Sequence, residues 1–416
     1  MVDVSSSAEK LRVRCCVAGG GPAGVMLGFL LARAGIDVAV LEKHSDFLRD
    51  FRGDTVHPST LETMHELGLL EEFLKRPHQE ISQVRARIGG DDILLGEMSY
   101  LRTRCRFMAL MPQWDFLDFL AEQGRRYPTF HLRMRTEVTG LIEENGCIVG
   151  IRANTPDCLL EARADLVVGA DGRNSVVRER AGFEVQDVGA SMDALQVRLS
   201  KRADDPKLFL YSDRGKTLVT IDRGDYWHCG FAVPKGTAEK MQARGIEDFR
   251  ASIVEVAPFL RDRVTELRAW SDVKLLTVRA DRLRKWYRSG LLCIGDAAHA
   301  MSPVGGVGIN LAIQDAVAAA NILGEPLTKG TLSVDDLAKI QRRRSFPARL
   351  TQRMQAIIQK QVWRGLDKPQ AARPPWALRQ LERTTLPSRM RTRFIAVGFR
   401  AEHVRTPDIF KRPVSV

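Results

Sequence analysis

The chain has 416 residues, of which 44% are hydrophobic, so it can bury a large core and is long enough for two or three domains. Its formal net charge of +12 is unevenly placed: residues 331–416 hold 19 Lys and Arg against 6 Asp and Glu, which leaves 44 against 45 in the rest of the chain. A folded soluble enzyme fits this composition, and the seven scattered cysteines, without a CxxC spacing, are expected to be reduced thiols rather than disulfide or zinc ligands.

The N-terminal stretch predicts a strand, a tight turn, a helix and a second strand. Residues 12–18 and 36–41 are apolar at nearly every position, as in parallel strands buried on both faces, and residues 22–34 are the small and aliphatic residues of a packed helix. No apolar stretch before the first strand is long enough for a signal peptide, and the longest uncharged runs are broken by glycine and proline. We therefore expect a cytoplasmic protein without a transmembrane segment.

A glycine-rich turn follows the first strand and matches the GxGxxG pattern. Gly19 allows the tight turn, Gly21 lets the backbone approach a pyrophosphate, and Gly24 allows the helix to pack closely on the strand. The helix that begins at Pro22 and Ala23 points backbone N–H groups at such an anion. The turn therefore predicts a dinucleotide-binding site.

Acidic residues end three of the predicted buried strands. Glu42 comes 23 positions after Gly19, where it can accept hydrogen bonds from a ribose hydroxyl, and Lys43 beside it is a further candidate contact. Asp171 and Asp296 follow two buried strands far downstream. Because ligands gather at the carboxyl ends of strands in open α/β sheets, one domain is expected to be assembled from these separated stretches.

The stretches between these strands have a different pattern. Residues 81–104 and 193–232 alternate short apolar runs with polar residues and turn signals, which is typical of antiparallel strands with one wet face. The chain is expected to be helical after residue 308 and mostly helix and loop from residue 333 onward. The predicted parts are a discontinuous dinucleotide-binding domain (1–75, 105–185 and 276–340), an antiparallel-sheet domain (76–104 and 186–275) and a basic helical segment (341–416).

Three motifs stand in a fixed order along the chain. The first is the glycine-rich turn, the second is Gly169-Ala170-Asp171-Gly172 with Ser175 and Arg178, and the third is Gly295-Asp296-Ala297-Ala298-His299 with Pro303, Gly306, Gly308 and Asn310. Together they resemble the GxGxxG, DG and GD motifs of the class A flavoprotein monooxygenases, the group of p-hydroxybenzoate hydroxylase and the ubiquinone-pathway and polyketide hydroxylases. The resemblance spans residues 14 to about 325 and implies an α/β fold with a Rossmann-like FAD-binding domain and an antiparallel-sheet substrate domain.

The resemblance also implies tight, non-covalent FAD. Asp296 would hydrogen-bond the ribityl chain, Asp171 would lie near the pyrophosphate and assist nicotinamide use, and Pro303 would lie beside the isoalloxazine ring unless it is only a helix-entry proline. The helix after this proline can stabilise negative charge on reduced flavin with its N-terminal end. Further expected cofactor contacts are Arg52, Gln113, Gly295, Gly306, Gly308, Ile309 and Asn310.

The flavin edge and the substrate pocket depart from the family pattern or lack a motif. Several aromatic hydroxylases carry His-x-Arg-Thr where this chain has Ser59 in place of the arginine, so His57 is a candidate active-site residue, with a surface or helix-capping role as the alternative. His299 has no metal-ligand cluster beside it, so we expect it to pack under the flavin loop, with no metal. Candidate substrate contacts in the sheet domain, each of which could instead be core, are Tyr211, Trp227, His228 and Phe231.

The function implied by the resemblance is that of an NAD(P)H-dependent monooxygenase. Reduced FAD would react with O₂ to a C4a-hydroperoxide that hydroxylates an aromatic, polyketide-like or otherwise electron-rich small molecule. The chain has no second GxGxxG for a separate nicotinamide domain, so NAD(P)H is expected to bind transiently over the FAD domain. The rivals are a halogenase, although the WxW element is missing, a prenyl-type reductase, and a non-hydroxylating flavin-binding protein.

The basic C-terminal segment allows two interpretations. It could meet an anionic partner, a membrane surface or an acidic carrier protein, but a charge run is more often a solvated face, and nothing resembling a nucleic-acid module accompanies it. We expect its helix near residues 349–363 to pack Leu350, Met354 and Ile357 on the protein and to face Arg and Lys outward. Either a monomer or a homodimer is compatible with the sequence.

Overall fold

A computed structural model shows a mixed α/β fold with C-terminal helices, which confirms the predicted fold class. The structure describes residues 8–48, 55–190, 192–366 and 385–411, and of residues 361–366, 385–388 and 391 it describes the backbone alone.

The described helices and strands follow in chain order. The helices are α1 (Pro22–Arg33), α2 (Pro58–Glu66), α3 (Leu70–Phe73), α4 (Gln113–Gly124), α5 (Val176–Arg180), α6 (Ala238–Ala243), α7 (Ile246–Val256), α8 (Asp296–His299), α9 (Gly308–Lys329), α10 (Val334–Leu366) and α11 (Thr385–Ala396). Short 3₁₀ turns are Pro258–Leu260, Val264–Glu266, Trp270–Asp272 and Val304–Gly306. The strands are β1 (Glu9–Ala18), β2 (Val38–Leu41), β3 (Thr55–Val56), β4 (Gln79–Ile81), β5 (Gln83–Ile88), β6 (Asp91–Glu97), β7 (Met108–Leu110), β8 (Phe130–Arg133), β9 (Glu137–Glu144), β10 (Cys147–Asn154), β11 (Leu159–Gly169), β12 (Val185–Asp187), β13 (Met192–Ser200), β14 (Leu210–Asp213), β15 (Lys216–Asp222), β16 (Tyr226–Pro234), β17 (Lys274–Leu276), β18 (Asp281–Leu283), β19 (Tyr287–Arg288) and β20 (Leu291–Cys293).

The larger sheet has eight strands and carries the predicted motifs. Its parallel strands run in the order β20, β11, β1, β2 and β8, with β19 antiparallel at one edge and β10 and β9 extending from β11. Ala18 pairs with Gly169 and with Leu41, and Gly169 pairs with Cys293. The carboxyl ends of β1, β2, β11 and β20 therefore meet at one edge of the sheet, as the strand-then-turn pattern predicts.

Two apolar helices pack on this sheet. Every residue of α1 after Pro22 is buried, and α1 lies against α9 and α4. Gly28 brings α1 close to the sheet, because a Cβ at this position would overlap Val40. Although α9 is long and apolar enough to cross a membrane, 78% of its most apolar window is buried inside the protein, so it is a core helix.

The smaller sheet has seven strands and a core of its own. The strands run in the order β17, β13, β16, β15, β14, β5 and β6, all antiparallel except the β14–β5 pair. One face packs on α7 and the 3₁₀ turns that follow it, and this packing forms the second hydrophobic core. The sheet confirms the antiparallel strands predicted from the alternating pattern, while the exact domain boundaries stay a prediction.

The C-terminal part of the chain returns to the larger domain. Helix α10 packs on α9, and α11 packs on β6 of the smaller sheet. The last described residues reach α1, where Arg33 Nη1 donates to the carbonyl of Thr406 at 2.7 Å and Arg33 Nε lies 3.5 Å from the Asp408 carboxylate. The segment of residues 406–408 thus packs on the first helix.

Candidate cofactor site

The glycine-rich turn has the geometry that its sequence predicts. Gly19 has φ +104°, and a Cβ there would lie 2.5 Å from the carbonyl oxygen of Ala170. A Cβ at Gly24 would overlap the carbonyl oxygen of Gly19. At Gly21 an added Cβ would meet no described atom within 4 Å. Two of the glycines are therefore needed by the turn itself, and the third leaves space that a ligand can use.

The carboxylate of Glu42 lies beside this turn. Its Oε2 accepts from the backbone N–H of Gly20 at 2.9 Å, and its Oε1 accepts from the N–H of His44 at 3.1 Å. Lys43 is exposed next to it. The structure thus fixes the acidic group at the end of β2, and its contact with a ribose stays a prediction.

The DG motif follows β11 and is held by hydrogen bonds. Asp171 Oδ2 accepts from the N–H of Val177 at 3.1 Å, and its buried Oδ1 has no partner among the described residues. Burial raises the pKa of Asp171, while hydrogen bonds from Ser175 and Val177 oppose this shift. Ser175 caps α5 by accepting from the N–H of Arg178. Arg178 in turn binds Asp281 through both η nitrogens, at 3.0 and 3.2 Å, so it fastens the motif to β18.

The GD motif meets the other two motifs. Gly295 has φ +58°, and a Cβ there would lie 3.1 Å from the Cβ of Ala23 in the first turn of α1. Asp296 begins α8, with 30% of its side chain exposed, and Arg173 of the DG motif lies 3.4 Å from its Oδ2. The sequence reasoning gave no role to Arg173, which links the second and third motifs. All three motifs are therefore in contact at one edge of the sheet.

A buried cluster of charges lies beneath the GD motif. Asp315 Oδ2 accepts from the N–H of Gly295 at 3.1 Å and lies 2.6 Å from His299 Nε2, while Asp315 Oδ1 accepts from Arg344 Nε at 2.8 Å. Arg344 Nη1 also lies 3.4 Å from Glu402 Oε1. The cluster joins α8, α9, α10 and the C-terminal segment.

Mutual attraction sets the protonation of this cluster. Burial alone would lower the pKa of His299, but attraction to Asp315 raises it. Burial likewise would raise the pKa of Asp315, yet His299 and Arg344 lower it. His299 also packs its ring 4.9 Å from that of Trp286, and its place under a flavin loop stays a prediction. The one available signal for this cluster was an aspartate inside the apolar run of α9.

A glycine loop leads into α9. Gly305 and Gly306 have φ +81° and +62°, which allow the chain to turn sharply after the exposed Pro303. Gly308 is the first residue of α9, and a Cβ there would meet none of the described atoms within 4 Å. The N-cap residue, Val307, has an apolar side chain, which cannot accept a hydrogen bond from the first N–H groups of the helix. The positive end of a 22-residue helix is therefore open to a ligand.

His57 lies under this loop and is fully buried, so it is not a surface residue. Its backbone N–H donates to Asn310 Oδ1 at 3.1 Å, and its ring Nδ1 lies 2.8 Å from the carbonyl oxygen of Ile395. Since a carbonyl only accepts, Nδ1 carries the proton. Burial lowers the pKa of His57 to about 4. Asn310 Oδ1 also accepts from Thr60 Oγ1 at 2.6 Å and so holds α2, while Asn310 Nδ2 lies 3.5 Å from the carbonyl of Gly306.

Three further residues were predicted to contact the cofactor. Gln113 begins α4 and is half-buried, and Ile309 is buried in the first turn of α9. Arg52 lies outside the described residues. Their contacts with FAD stay predictions.

Three of the predicted substrate contacts have side chains that face the core under α7, which is the alternative role that the sequence left open for them. Tyr211 is 1% exposed and packs its ring at an angle of 32° to that of Phe259, with ring centroids 5.2 Å apart. Trp227 donates its Nε1–H to Asp205 Oδ2 at 2.7 Å. Phe231 packs edge-on against a phenylalanine of α7. Aromatic side chains in this sheet fill a core rather than a pocket.

The opposite face of β16 is the better candidate surface. Since alternate residues of a strand point to opposite faces, His228, Gly230 and Ala232 lie away from the α7 core. Gly230 pairs with Gln196 of β13 and Val219 of β15, and an added Cβ would meet no atom within 4 Å in the described part of the chain. Alternation along β16 separates Gly230 from Trp227 in the sequence, but which of the two faces is covered depends on where α7 packs.

This arrangement fits the FAD expected from the sequence. Two long helices, α1 and α9, begin at the same edge of the sheet with open backbone at Gly21 and Gly308. One helix start can receive phosphates and the other the electron-rich end of the flavin. The unpartnered Oδ1 of Asp171 is an acceptor that a cofactor hydroxyl or an ordered water can satisfy. Among the described residues no group of His, Cys, Asp and Glu could hold a metal ion.

Comparisons with known proteins agree with this geometry. Residues 12–354 match the FAD binding domain family. The 6-methylpretetramide 4-monooxygenase of Streptomyces rimosus is 33% identical over 95% of this chain and 94% of its own length. The dialkyldecalin synthase of Streptomyces rugosporus is 28% identical over 72% of this chain and 63% of its own length. The solved structure of the OxyS anhydrotetracycline hydroxylase from Streptomyces rimosus matches 93% of this chain and 76% of its own, with a TM-score of 0.72 and 22% identity.

Proposed function

We propose, from the premise that this chain belongs to the FAD-binding-domain family of class A flavoprotein monooxygenases, that it uses NAD(P)H and O₂ to hydroxylate an aromatic, polyketide-like small molecule. The observation that carries the proposal is the meeting of all three glycine motifs at one sheet edge, where two helices begin with open backbone. The 33% identical relative is named a 6-methylpretetramide 4-monooxygenase, and the match covers 94% of its length. This supports an aromatic, polyketide-like substrate.

The residues of this site would divide the work of holding FAD. The glycine-rich turn and Glu42 would bind the adenosine and pyrophosphate end, and Asp296 with the start of α9 would bind the ribityl and flavin end. When bound, FAD would supply hydride acceptance from NAD(P)H and the activation of O₂. Pro303 and the loop after it would border the reacting edge.

His57 has a positioning role in this proposal. Because burial lowers its pKa to about 4, it is neutral near pH 7 and has no proton to give beyond the one it donates to Ile395. Its contacts with Asn310 and Ile395 tie α2, α9 and α11 together below the loop that follows Pro303. Its replacement should therefore act through the position of this loop.

The substrate would bind over the open face of β16. The small residues Gly230 and Ala232 leave space on this face, and the buried His228 lies beside them. A planar aromatic molecule needs such a flat surface without large side chains. The tightly packed core on the opposite side of the sheet would keep the surface rigid.

The decisive experiment follows the oxidation of the reduced protein. The anaerobically reduced, FAD-loaded protein is mixed rapidly with O₂, with and without anhydrotetracycline, a compound chosen because a structural relative hydroxylates it. We expect the transient absorbance of a flavin C4a-hydroperoxide before oxidised flavin returns. Reoxidation without an intermediate under both conditions would contradict the monooxygenase proposal.

A matched pair of variants tests the substrate surface. Gly230→Val fills the open face of β16, and Gly140→Val adds the same side chain to an open strand position of the larger sheet. We expect Gly230→Val to raise the KM for the substrate at least tenfold while reduction of FAD by NAD(P)H is retained. Gly140→Val should leave both unchanged, and equal effects of the two variants would place the substrate elsewhere.

A second candidate function is a role without hydroxylation. It is favoured by the 28% identical relative named dialkyldecalin synthase, whose name states no oxygenation. In that case NAD(P)H would fail to reduce the bound flavin with or without ligand, and the same rapid-mixing instrument would show this directly.

A further inference from the structure

A basic cavity lies on the side of α9 that faces the C-terminal segment. Its volume is about 390 Å³, within the range of small-ligand sites. Five cations from α10 and the C-terminal segment line it, and α9 supplies the opposite wall with Ala318, Asn321 and Ile322. The five cations of this basic cavity are Lys339, Arg342, Arg343, Arg400 and Arg405.

Most of the positive charge in the basic cavity is uncompensated. Lys339 is paired with Asp336 at 2.7 Å, and Arg343 is paired with Glu402 at 2.7 Å. Within residues 8–48, 55–190, 192–366 and 385–411, no acidic side chain pairs with the other three arginines, which are Arg342, Arg400 and Arg405. Like charges brought together in this way repel one another, and an anion between them removes the repulsion.

The backbone holds two of these arginines in place before any ligand arrives. Arg400 has the left-handed φ of +55°, and its carbonyl accepts from the buried Arg344 at 3.2 Å. The N–H of Arg405 donates to Asn321 Oδ1 at 2.8 Å, and Asn321 Nδ2 donates back to the carbonyl of His403 at 2.8 Å. Little backbone freedom would therefore be lost on binding, which favours affinity.

We propose that the basic cavity binds a diphosphate group. Guanidinium groups bind phosphate oxygens bidentately. A diphosphate carries several negative charges and enough oxygens for three arginines, whereas a carboxylate has one charge and two oxygens. The group can belong to free pyrophosphate or to a nucleotide, whose base would rest on Ala318 and Ile322. Ala318 lies about 15 Å along α9 from Gly308, so the basic cavity is separate from the cofactor site.

Calorimetry of the FAD-saturated full chain tests this site. Inorganic pyrophosphate and ADP are each titrated at low ionic strength into the wild-type protein and two triple variants. The cavity variant carries Arg342→Gln, Arg400→Gln and Arg405→Gln, and the control carries Arg12→Gln, Lys240→Gln and Arg268→Gln at exposed positions. We expect the Kd to rise about tenfold for each arginine lost from the cavity, with unchanged flavin content and an unchanged Kd in the control.

The two ligands separate the possible sources. Tighter binding of ADP than of pyrophosphate assigns the site to a nucleotide, and equal binding assigns it to a free diphosphate. Absence of binding to the wild-type protein, or an equal loss in the control variant, overturns the proposal. ADP binding that persists in the cavity variant belongs to the cofactor region and also counts against it.

Discussion

The protonation of His57 should control part of the stability at acid pH. Its pKa is about 4 in the folded protein and about 6.5 in an unfolded chain, so the unfolded state takes up the proton first as the pH falls. The stability from the neutral form is therefore complete above pH 6.5 and decreases towards pH 4. When the pH is lowered from 7.5 to 5, the free energy of unfolding in urea should fall by about 2 kcal/mol less in His57→Gln than in the wild type. Equal losses would mean that His57 does not titrate in this way.

Two glycines of the same turn should respond differently to an added methyl group. A Cβ at Gly24 overlaps the carbonyl of Gly19, so Gly24→Ala should destabilise the apoprotein by roughly 1–3 kcal/mol. Gly21→Ala meets no described atom, so its apoprotein should unfold at the wild-type temperature while its affinity for FAD falls. Thermal unfolding of both apoproteins and fluorescence titration with FAD measure this. Normal FAD binding by Gly21→Ala would show that the pyrophosphate does not approach that glycine.

The residues of tight turns could be predicted from the sequence. Which face of the smaller sheet is covered by the core, and which is open, could not. Gly19 and Gly24 have one local reason to be glycine, and that reason is visible in the GxGxxG spacing. Trp227 and His228 are neighbours on one strand, and which of them faces the core depends on where α7 packs. That packing involves residues far apart in sequence, which no local pattern contains.

Along residues 349–360 the buried face of α10 is polar, which corrects the apolar face expected there. Ile357 is 58% exposed, and Leu350 and Met354 are only half-buried. The buried positions of this stretch are glutamines that donate to the carbonyls of residues 281, 300, 302 and 304 and to the Ser302 hydroxyl. Chain without regular structure leaves carbonyls that need such donors. These glutamines are Gln352, Gln355 and Gln359, which follow one another at helical spacing.

Removing one of these donors should loosen the loop before α9. Gln355 donates to the carbonyls of Ser302 and Val304 at 2.8 Å each, and Gln355→Leu leaves both without that donor. We expect a loss of roughly 1–3 kcal/mol in the free energy of unfolding and weaker FAD binding. Gln242→Leu, at an exposed position of α6, is the control and should change neither quantity. A Gln355→Leu protein that binds FAD normally would show that α10 does not shape the loop.

The larger sheet was predictable as an element because its strands carry their own signals. The strands β1, β2, β11 and β20 are apolar runs that end at glycine or an acidic residue, so their existence, direction and common edge follow from the sequence. The polar buried face of residues 349–360 in α10 was not predictable, because glutamine on a helix is ordinarily a surface residue. Only the position of the carbonyls beneath it explains the burial.

The whole molecule should depend on its last residues. A chain ending after residue 398 loses Glu402 and Asp408, which leaves the buried Arg344 and Arg33 without these partners. Breaking a buried pair in this way costs about 3–5 kcal/mol, so this shortened chain should unfold at a much lower temperature and retain little FAD. A chain ending after Lys411 keeps these contacts and is the control. Equal unfolding temperatures for the two chains would contradict the prediction.

The contact between α1 and the C-terminal segment also constrains biosynthesis. Arg33 and Thr406 are 373 positions apart, so the helix that carries the glycine-rich turn leaves the ribosome long before its buried arginine meets a partner. During translation the first domain must stay incomplete, although N-terminal domains ordinarily fold first. Stable loading of FAD is therefore a step that follows synthesis of the segment around residue 406, and a nascent chain stalled before residue 400 should not retain the cofactor.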